Sequence, residues 1–189
     1  LSTIGVYGDR GGAWVDESAE PTPLSHRSQE RVLAENQWLE AGAKDSIPVA
    51  ILRLSGIYGP GRNPFVNLAN GTARRIVKKD QVFNRIRVED IGRATSFLIK
   101  RGQGGIYNVT DSDPSPSQDT VEYAAKLMGV PVPPDIVFET AELSPMQRSF
   151  YAESKRVSNA RLRNLGFAFS YPNYEMSLAQ MWRDDVWRG

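Results

Sequence analysis

Pro48-Val49-Ala50-Ile51-Leu52-Arg53-Leu54, followed by Ser55-Gly56-Ile57-Tyr58-Gly59-Pro60-Gly61, is the stretch on which the fold turns. The first part is a short apolar run without polar alternation, as in a parallel strand covered on both faces. The glycines and proline after it punctuate a turn. Toward the N-terminus, residues 25–43 predict a helix with Ser25 as N-cap. A polar loop, residues 8–23, separates that helix from a further strand, Leu1-Ser2-Thr3-Ile4-Gly5-Val6-Tyr7. Strand-like and helical stretches alternate, which predicts an α/β fold.

Toward the C-terminus the elements are shorter. Residues 85–88 predict a strand that leads into a helix from Glu89, with Ile91, Ala94 and Leu98 on one face. Residues 106–109 predict another strand. Val121, Ala124, Ala125 and Met128 mark a helix closed by Gly129, and residues 130–134 (VPVPP) form a stiff connector. A helix is expected over residues 154–165, stopping at Gly166. The last helix is expected to carry Leu178, Met181, Trp182 and Val186 on one face. The sequence opens within a strand, and two convincing parallel strands are too few for a sheet covered on both faces. The expectation is a chain that lacks its beginning, its first strand flanked by an absent N-terminal segment or by another copy.

The 189 residues fit a single domain. Lys+Arg is 23 and Asp+Glu is 22, so no basic surplus points to nucleic acid or an anionic membrane. Arg74-Arg75 and Lys78-Lys79 are short runs read as solvated surface. With no cysteine and one histidine, His26, disulfides, thiolate sites and histidine metal cages are excluded. No apolar run approaches the roughly 18 residues that span a bilayer, so a cytoplasmic location and a small-molecule partner are the default expectations.

Four ordered segments resemble the extended and atypical short-chain dehydrogenase/reductases, the NAD-dependent epimerase/dehydratase family. Residues 1–9 resemble the strand signature SS-x-x-VYG. Residues 52–61 are similar to LR-x-x-x-VYGPG, residues 86–91 to I-H-V-x-D-V, and residues 105–109 to G-x-Y-N-V-G. The resemblance implies a Rossmann-like parallel sheet, incomplete in this chain, with a small C-terminal substrate-binding lobe. Residues 1–60 would be the second half of the Rossmann-like domain, and residues 61–189 further strands and the lobe. It also implies NADP or NAD as cofactor, seated on a Gly-x-x-Gly-x-x-Gly loop that this sequence does not contain. The cluster Gly8-Asp9-Arg10-Gly11-Gly12 follows a strand but leads into acidic loop, unlike a phosphate loop.

The family's chemistry uses a Ser or Thr hydroxyl that polarises the substrate oxygen, together with a Tyr and a Lys. The hydroxyl is carried over to Thr3, five residues before Gly8. Registering the helix on Leu33-Ala34-Glu35 places Arg27 at the tyrosine and Arg31 at the lysine. A guanidinium stays protonated and cannot serve as a neutral acid or base, but it donates to ribose hydroxyls or phosphate oxygens. Arg27, Arg31, Ala34 and Trp38 share one helix face, and the alternative for the two arginines is a solvated surface. By the same resemblance Ser2, Leu54, Ser55 and Ile57 are cofactor contacts. His26 is offset by one residue from the tyrosine position, about 100° of rotation, and is expected to point elsewhere. Tyr7 and Tyr58 are expected to pack.

A nucleotide-sugar member presents an arginine five residues before the valine of V-x-D. Here that position is Phe83, which weakens such a substrate and leaves Arg85 and Arg87 as substrate candidates. Asp90 is expected to cap its helix. Residues 154–159 (SKRVSN) resemble a helix that packs on the substrate lobe. Two functions follow: an NAD(P)-dependent epimerase/dehydratase-like or reductase-like enzyme for a small or sugar-like substrate, or a non-catalytic NAD(P)-binding sensor or scaffold.

Overall fold

The computed structural model describes residues 1–189. Its strands are β1 (Ser2–Thr3), β2 (Trp14–Val15), β3 (Ala50–Leu54), β4 (Gly56–Tyr58), β5 (Arg75–Val77), β6 (Arg85–Arg87), β7 (Gly105–Val109), β8 (Asp135–Val137) and β9 (Arg156–Val157). Its helices are α1 (His26–Asp45), α2 (Pro64–Ala69), α3 (Val88–Lys100), α4 (Ser117–Met128), α5 (Pro145–Ser149), α6 (Ala160–Asn164) and α7 (Tyr174–Arg183). None is long and apolar enough to cross a membrane.

The apolar run at 50–54 forms the central strand of a three-stranded parallel sheet ordered β1-β3-β7. Thr3 pairs with Leu54, and Leu54 with Val109, so these residues form a row across the sheet. β1 is its edge strand in this chain. Leu52, Leu54, Tyr107 and Val109 pack with Ala94 and Leu98 of α3 and Leu162 of α6, each buried Leu or Val contributing about 1.5–3 kcal/mol. A second core, Phe65, Ala124, Tyr174, Leu178, Met181 and Trp187, holds α2, α4 and α7 together as a lobe.

Ser25 caps α1 as expected, accepting from Ser28 N, and Gly129 closes α4 in the left-handed conformation. Several expectations are corrected. The strand at 1–7 stops at Thr3. Thr3 Oγ1 accepts from Gly5 N at 3.1 Å, which turns Ile4–Tyr7 into a 3-10 helix and drives Tyr7 into the interior. The loop at 8–23 contains β2, and the turn after Leu54 contains β4, parallel to β6. The helix expected over 154–165 is a strand followed by α6 of 5 residues. The physical reason is remote pairing: β2 supplies the parallel strand partner, and on the other edge the Asn84 side chain donates to Lys155 O and accepts from Val157 N. Asp90 does not cap its own helix; fully buried, it accepts from Ser170 N and Tyr171 N. Val186 lies past the end of α7 and is 40% exposed, while Trp187 fills the core.

α1 is held to the sheet by a charge pair. Arg53 donates to Glu35 through Nε and Nη2, the latter at 2.6 Å, with both side chains under 5% exposed. The Arg53 guanidinium lies 4.8 Å from the centre of the Tyr7 ring, and Tyr7 Oη donates to Asn108 Oδ1 of β7 at 2.7 Å. Breaking such a pair leaves one charge buried without its partner, at a cost of about 3–5 kcal/mol. Arg53→Met and Glu35→Leu are each expected to lower urea-unfolding stability by that amount. The double variant is expected to lose less than either single one.

Candidate functional site

In open parallel sheets ligands gather at the carboxyl ends of the strands, and here β1 and β3 end together. Ser2 pairs with Arg53 and Thr3 with Leu54, which puts Ser2, Thr3, Leu54 and Ser55 side by side. The hydroxyl oxygens of Ser2 and Ser55 are buried and have no hydrogen-bond partner, although Ser55 is only 6% exposed. An unpaired buried hydroxyl is costly unless a ligand or water meets it. Ile57, on β4, is 36% exposed.

α1 begins beside this row. Arg27 and Arg31 lie in its first turns and are exposed, as are Leu33 and Trp38. Arg31 Nη1 approaches Leu1 O at 3.5 Å, a long contact. His26 is also exposed, with Nδ1 3.6 Å from Glu30. The helix residue that turns inward is Ser28, 8% exposed, and the pattern continues through Val32 and buried Glu35 and Gly42. The inward Ser28-Val32-Glu35 spacing was the signal for it, masked by the arginines on the adjoining face.

The Gly8–Gly12 loop is strapped down by the segment around β9. Arg10 N and Gly12 N donate to Ser154 O, Asp9 accepts from Ser154 N, and buried Lys155 Nζ donates to Gly8 O at 2.7 Å. Gly8 has φ +64°, and a Cβ there would lie 2.0 Å from Thr22 O, so no other residue fits. Sequence reasoning did not find Lys155 or Asn84, because each acts through a contact more than 70 residues away.

Arg85 and Arg87 lie on β6, opposite Gly56 and Tyr58 of β4, and their donors are taken up by the fold. Arg87 is 1% exposed, and its donors are committed to Glu89, Ser177 and Gln180. Arg85 Nη1 and Nη2 donate to Phe83 O, Ser115 and Pro116 O. Beside Arg85 stands Asp111, 1% exposed, with Oδ1 accepting from Asp113 N and Oδ2 unpartnered. Burial pushes the Asp111 carboxyl up to about 8, against the hydrogen bond from Asp113 and the Arg85 charge. Tyr58 and Tyr7 are raised by burial too, and the Tyr58 hydroxyl, facing Ser177, lacks a well-formed hydrogen bond.

No family model matches the chain. It is 32% identical over 177 residues to Protein YeeZ of Escherichia coli (strain K12), covering 91% of this chain and 57% of that protein. A functionally unknown conserved protein from Silicibacter pomeroyi matches at TM-score 0.89 and 48% identity, over 98% of this chain and 65% of that one. The dTDP-glucose 4,6-dehydratase of Bacillus anthracis, solved in complex with NAD, matches at TM-score 0.73 and 20% identity, over 97% of this chain and 60% of that one. The chain thus spans under two thirds of the length of these proteins. It carries the Rossmann-like α/β fold of the epimerase/dehydratase short-chain dehydrogenase/reductases.

Asp111 generates a test in the lobe. A carboxyl whose folded pKa lies above its unfolded value of 3.8 keeps its proton in the fold after the unfolded chain has lost it. Its contribution therefore favours the fold least at high pH: stability falls as pH rises from 3.8 to about 8. Each unit of elevation removes about 1.4 kcal/mol by the upper end of that window. Asp111→Asn keeps the acceptor for Asp113 N and is expected to flatten the fall, measured by urea unfolding at steps between the two limits.

Proposed function

We propose that this chain belongs to an NAD- or NADP-dependent enzyme of epimerase/dehydratase or reductase type, acting on a small or sugar-like substrate. The observation that carries the reading is at the sheet's carboxyl edge, where Thr3 pairs with Leu54 and the neighbouring residues Ser2 and Ser55 hold buried hydroxyls without partners. Those hydroxyls fit the ribose and amide groups of a nicotinamide nucleotide, and exposed Arg27 and Arg31 fit its hydroxyls and phosphates. When bound, the nicotinamide supplies or accepts a hydride. Thr3 polarises the reacting oxygen, while Leu54, Ser55 and Ile57 line the cofactor side. The pyrophosphate loop comes from a further N-terminal segment or a second copy, and the setting is cytoplasmic.

A second reading, a non-catalytic NAD(P) sensor or scaffold, is favoured by one observation. The positions registered with the usual tyrosine and lysine are arginines, which do not exchange protons at working pH. Arg85 and Arg87 serve the fold in both readings, and a phosphate-rich substrate finds few free cations in the lobe.

Titration of the full-length protein with NADH and NADPH by fluorescence, beside a reductase assay over aldehydes, ketones and sugars, tests both. In the enzyme, Thr3→Val is expected to lower turnover roughly a hundredfold or more with cofactor affinity unchanged. Arg31→Ala is expected to weaken cofactor binding about tenfold or more. Binding without turnover on any substrate favours the sensor; no binding of either nucleotide ends both.

A further inference from the structure

The proposed enzyme lacks a partner for Thr3 at the reacting oxygen, and the first turn of α1 supplies one. Arg27, Arg31 and His26 are exposed. Ser28 is 8% exposed and turns toward β1. A Cβ built on Gly5 would lie 2.9 Å from Ser28 Oγ and 3.4 Å from Thr3 Oγ1, so both hydroxyls face the same side of Gly5. The missing side chain at residue 5 is what leaves that side open.

The hydrogens are already assigned by the neighbours. Thr3 Oγ1 accepts from Gly5 N, and Ser28 Oγ accepts from Ser25 Oγ at 2.9 Å. Each hydroxyl spends a lone pair on the fold and keeps its own hydrogen free. Two free O–H donors flanking one notch suit an acceptor oxygen better than a donor or a cation. Ser2 and Ser55, next to the Thr3–Leu54 pair, bring two buried hydroxyls without partners to the same edge.

We propose that Thr3 and Ser28 form a two-hydroxyl hole over Gly5 for a single carbonyl or hydroxyl oxygen of the substrate, with Ser25 as the residue that positions Ser28. This deepens the enzyme reading above and rests on it. A substrate oxygen that gains negative charge takes the Ser28 proton; Ser28 takes that of Ser25, and exposed Ser25 takes one from water, releasing hydroxide. The ligand class is a small ketone, aldehyde or the corresponding alcohol. Neither serine titrates near neutral pH, so the pair polarises and relays without acting as a stored acid.

The capping of α1 by Ser25 is a structural role that the test has to separate from this one. Asp caps helices as well as Ser does, but an ionised carboxylate has no hydrogen to give Ser28. Ser25→Asp therefore keeps the cap while turning the Ser28 hydrogen toward residue 25 and away from the notch. The probe is dihydroxyacetone labelled with carbon-13 at its carbonyl, titrated into the full-length protein without cofactor and followed by NMR, with melting curves for every variant. In the wild type the carbonyl resonance is expected to move downfield on binding. Ser28→Ala, Thr3→Val, Gly5→Ala and Ser25→Asp are expected to lose that displacement and weaken binding about three- to tenfold. Ser28→Thr, which keeps the hydroxyl, is expected to restore it, and Ser25→Asp to melt with the wild type. No displacement in the wild type overturns the hole, as does a wild-type response from Ser28→Ala or from a normally melting Ser25→Asp. If NADH and NADPH fail to bind but the displacement and its losses stand, the cofactor reading falls and the hole survives. If the nucleotides bind and Ser28→Ala responds as wild type, the hole alone falls.

Discussion

The pairing of Glu35 with Arg53 is the constraint on which the geometry of this chain depends. Both charges are withdrawn from water, and neither is tolerable there without the other. Their contact fixes the rotation of α1 about its own axis against β3. Once Glu35 faces inward, helical spacing turns Ser28, seven residues earlier, inward too, and the arginines on the adjoining face outward. Arg53 then lies over Tyr7, and Tyr7 reaches Asn108, so one network joins α1, the 3-10 turn, β3 and β7. The row of hydroxyls at the sheet's edge inherits its position from that network.

A second set of contacts holds the far side of the same turn. Lys155 grips Gly8 O, Ser154 and Asp9 exchange with the Gly8–Gly12 loop, and β9 runs parallel to β2. Behind these hydrogen bonds Val15 of β2 and Val157 of β9 pack with Val6 and Tyr7 in a small buried cluster. Asn84 ties the same strap to the start of β6. The turn after Thr3 is thus tied to β2 and β9 by both hydrogen bonds and apolar packing.

The parts of the fold that were legible in the sequence are those that local physics decides. The apolar run at 50–54 had to be a buried strand, Ser25 an N-cap and Gly129 a left-handed stop. The parts that were not legible depend on remote partners. Residues 154–158 carry helix-compatible side chains, yet pairing with β2 and the Asn84 side chain make Arg156–Val157 a strand. Residues 4–7 carry β-formers, and one hydroxyl, Thr3, curls them into a 3-10 turn. The candidate site divides in the same way. Thr3 was found from its distance to Gly8, and Ser2 and Ser55 by resemblance. Ser28, the buried residue of the first turn of α1, was not singled out, because the arginines on the adjoining exposed face carried the resemblance. Arg85 and Arg87 looked available as cations until their donors proved to be spent on the lobe's own carbonyls and carboxylates.

The two polar centres of the molecule differ in kind. At the sheet's edge the groups are uncharged serine and threonine hydroxyls, with His26, Arg27 and Arg31 on the adjoining turn of α1. In the lobe, Asp111 lies buried against Arg85 with one oxygen unmet, and its proton is held to about 8. A change of pH around neutrality therefore acts on the packing between β6, the loop after β7 and the lobe helices, and leaves the hydroxyl row in the same protonation state. With positive and negative side chains nearly balanced over the whole chain, long-range attraction for an anionic cofactor is weak. The hydroxyl edge is thus held by the Glu35–Arg53 pair, and the pH-sensitive carboxyl lies apart from that pair, buried beside Arg85.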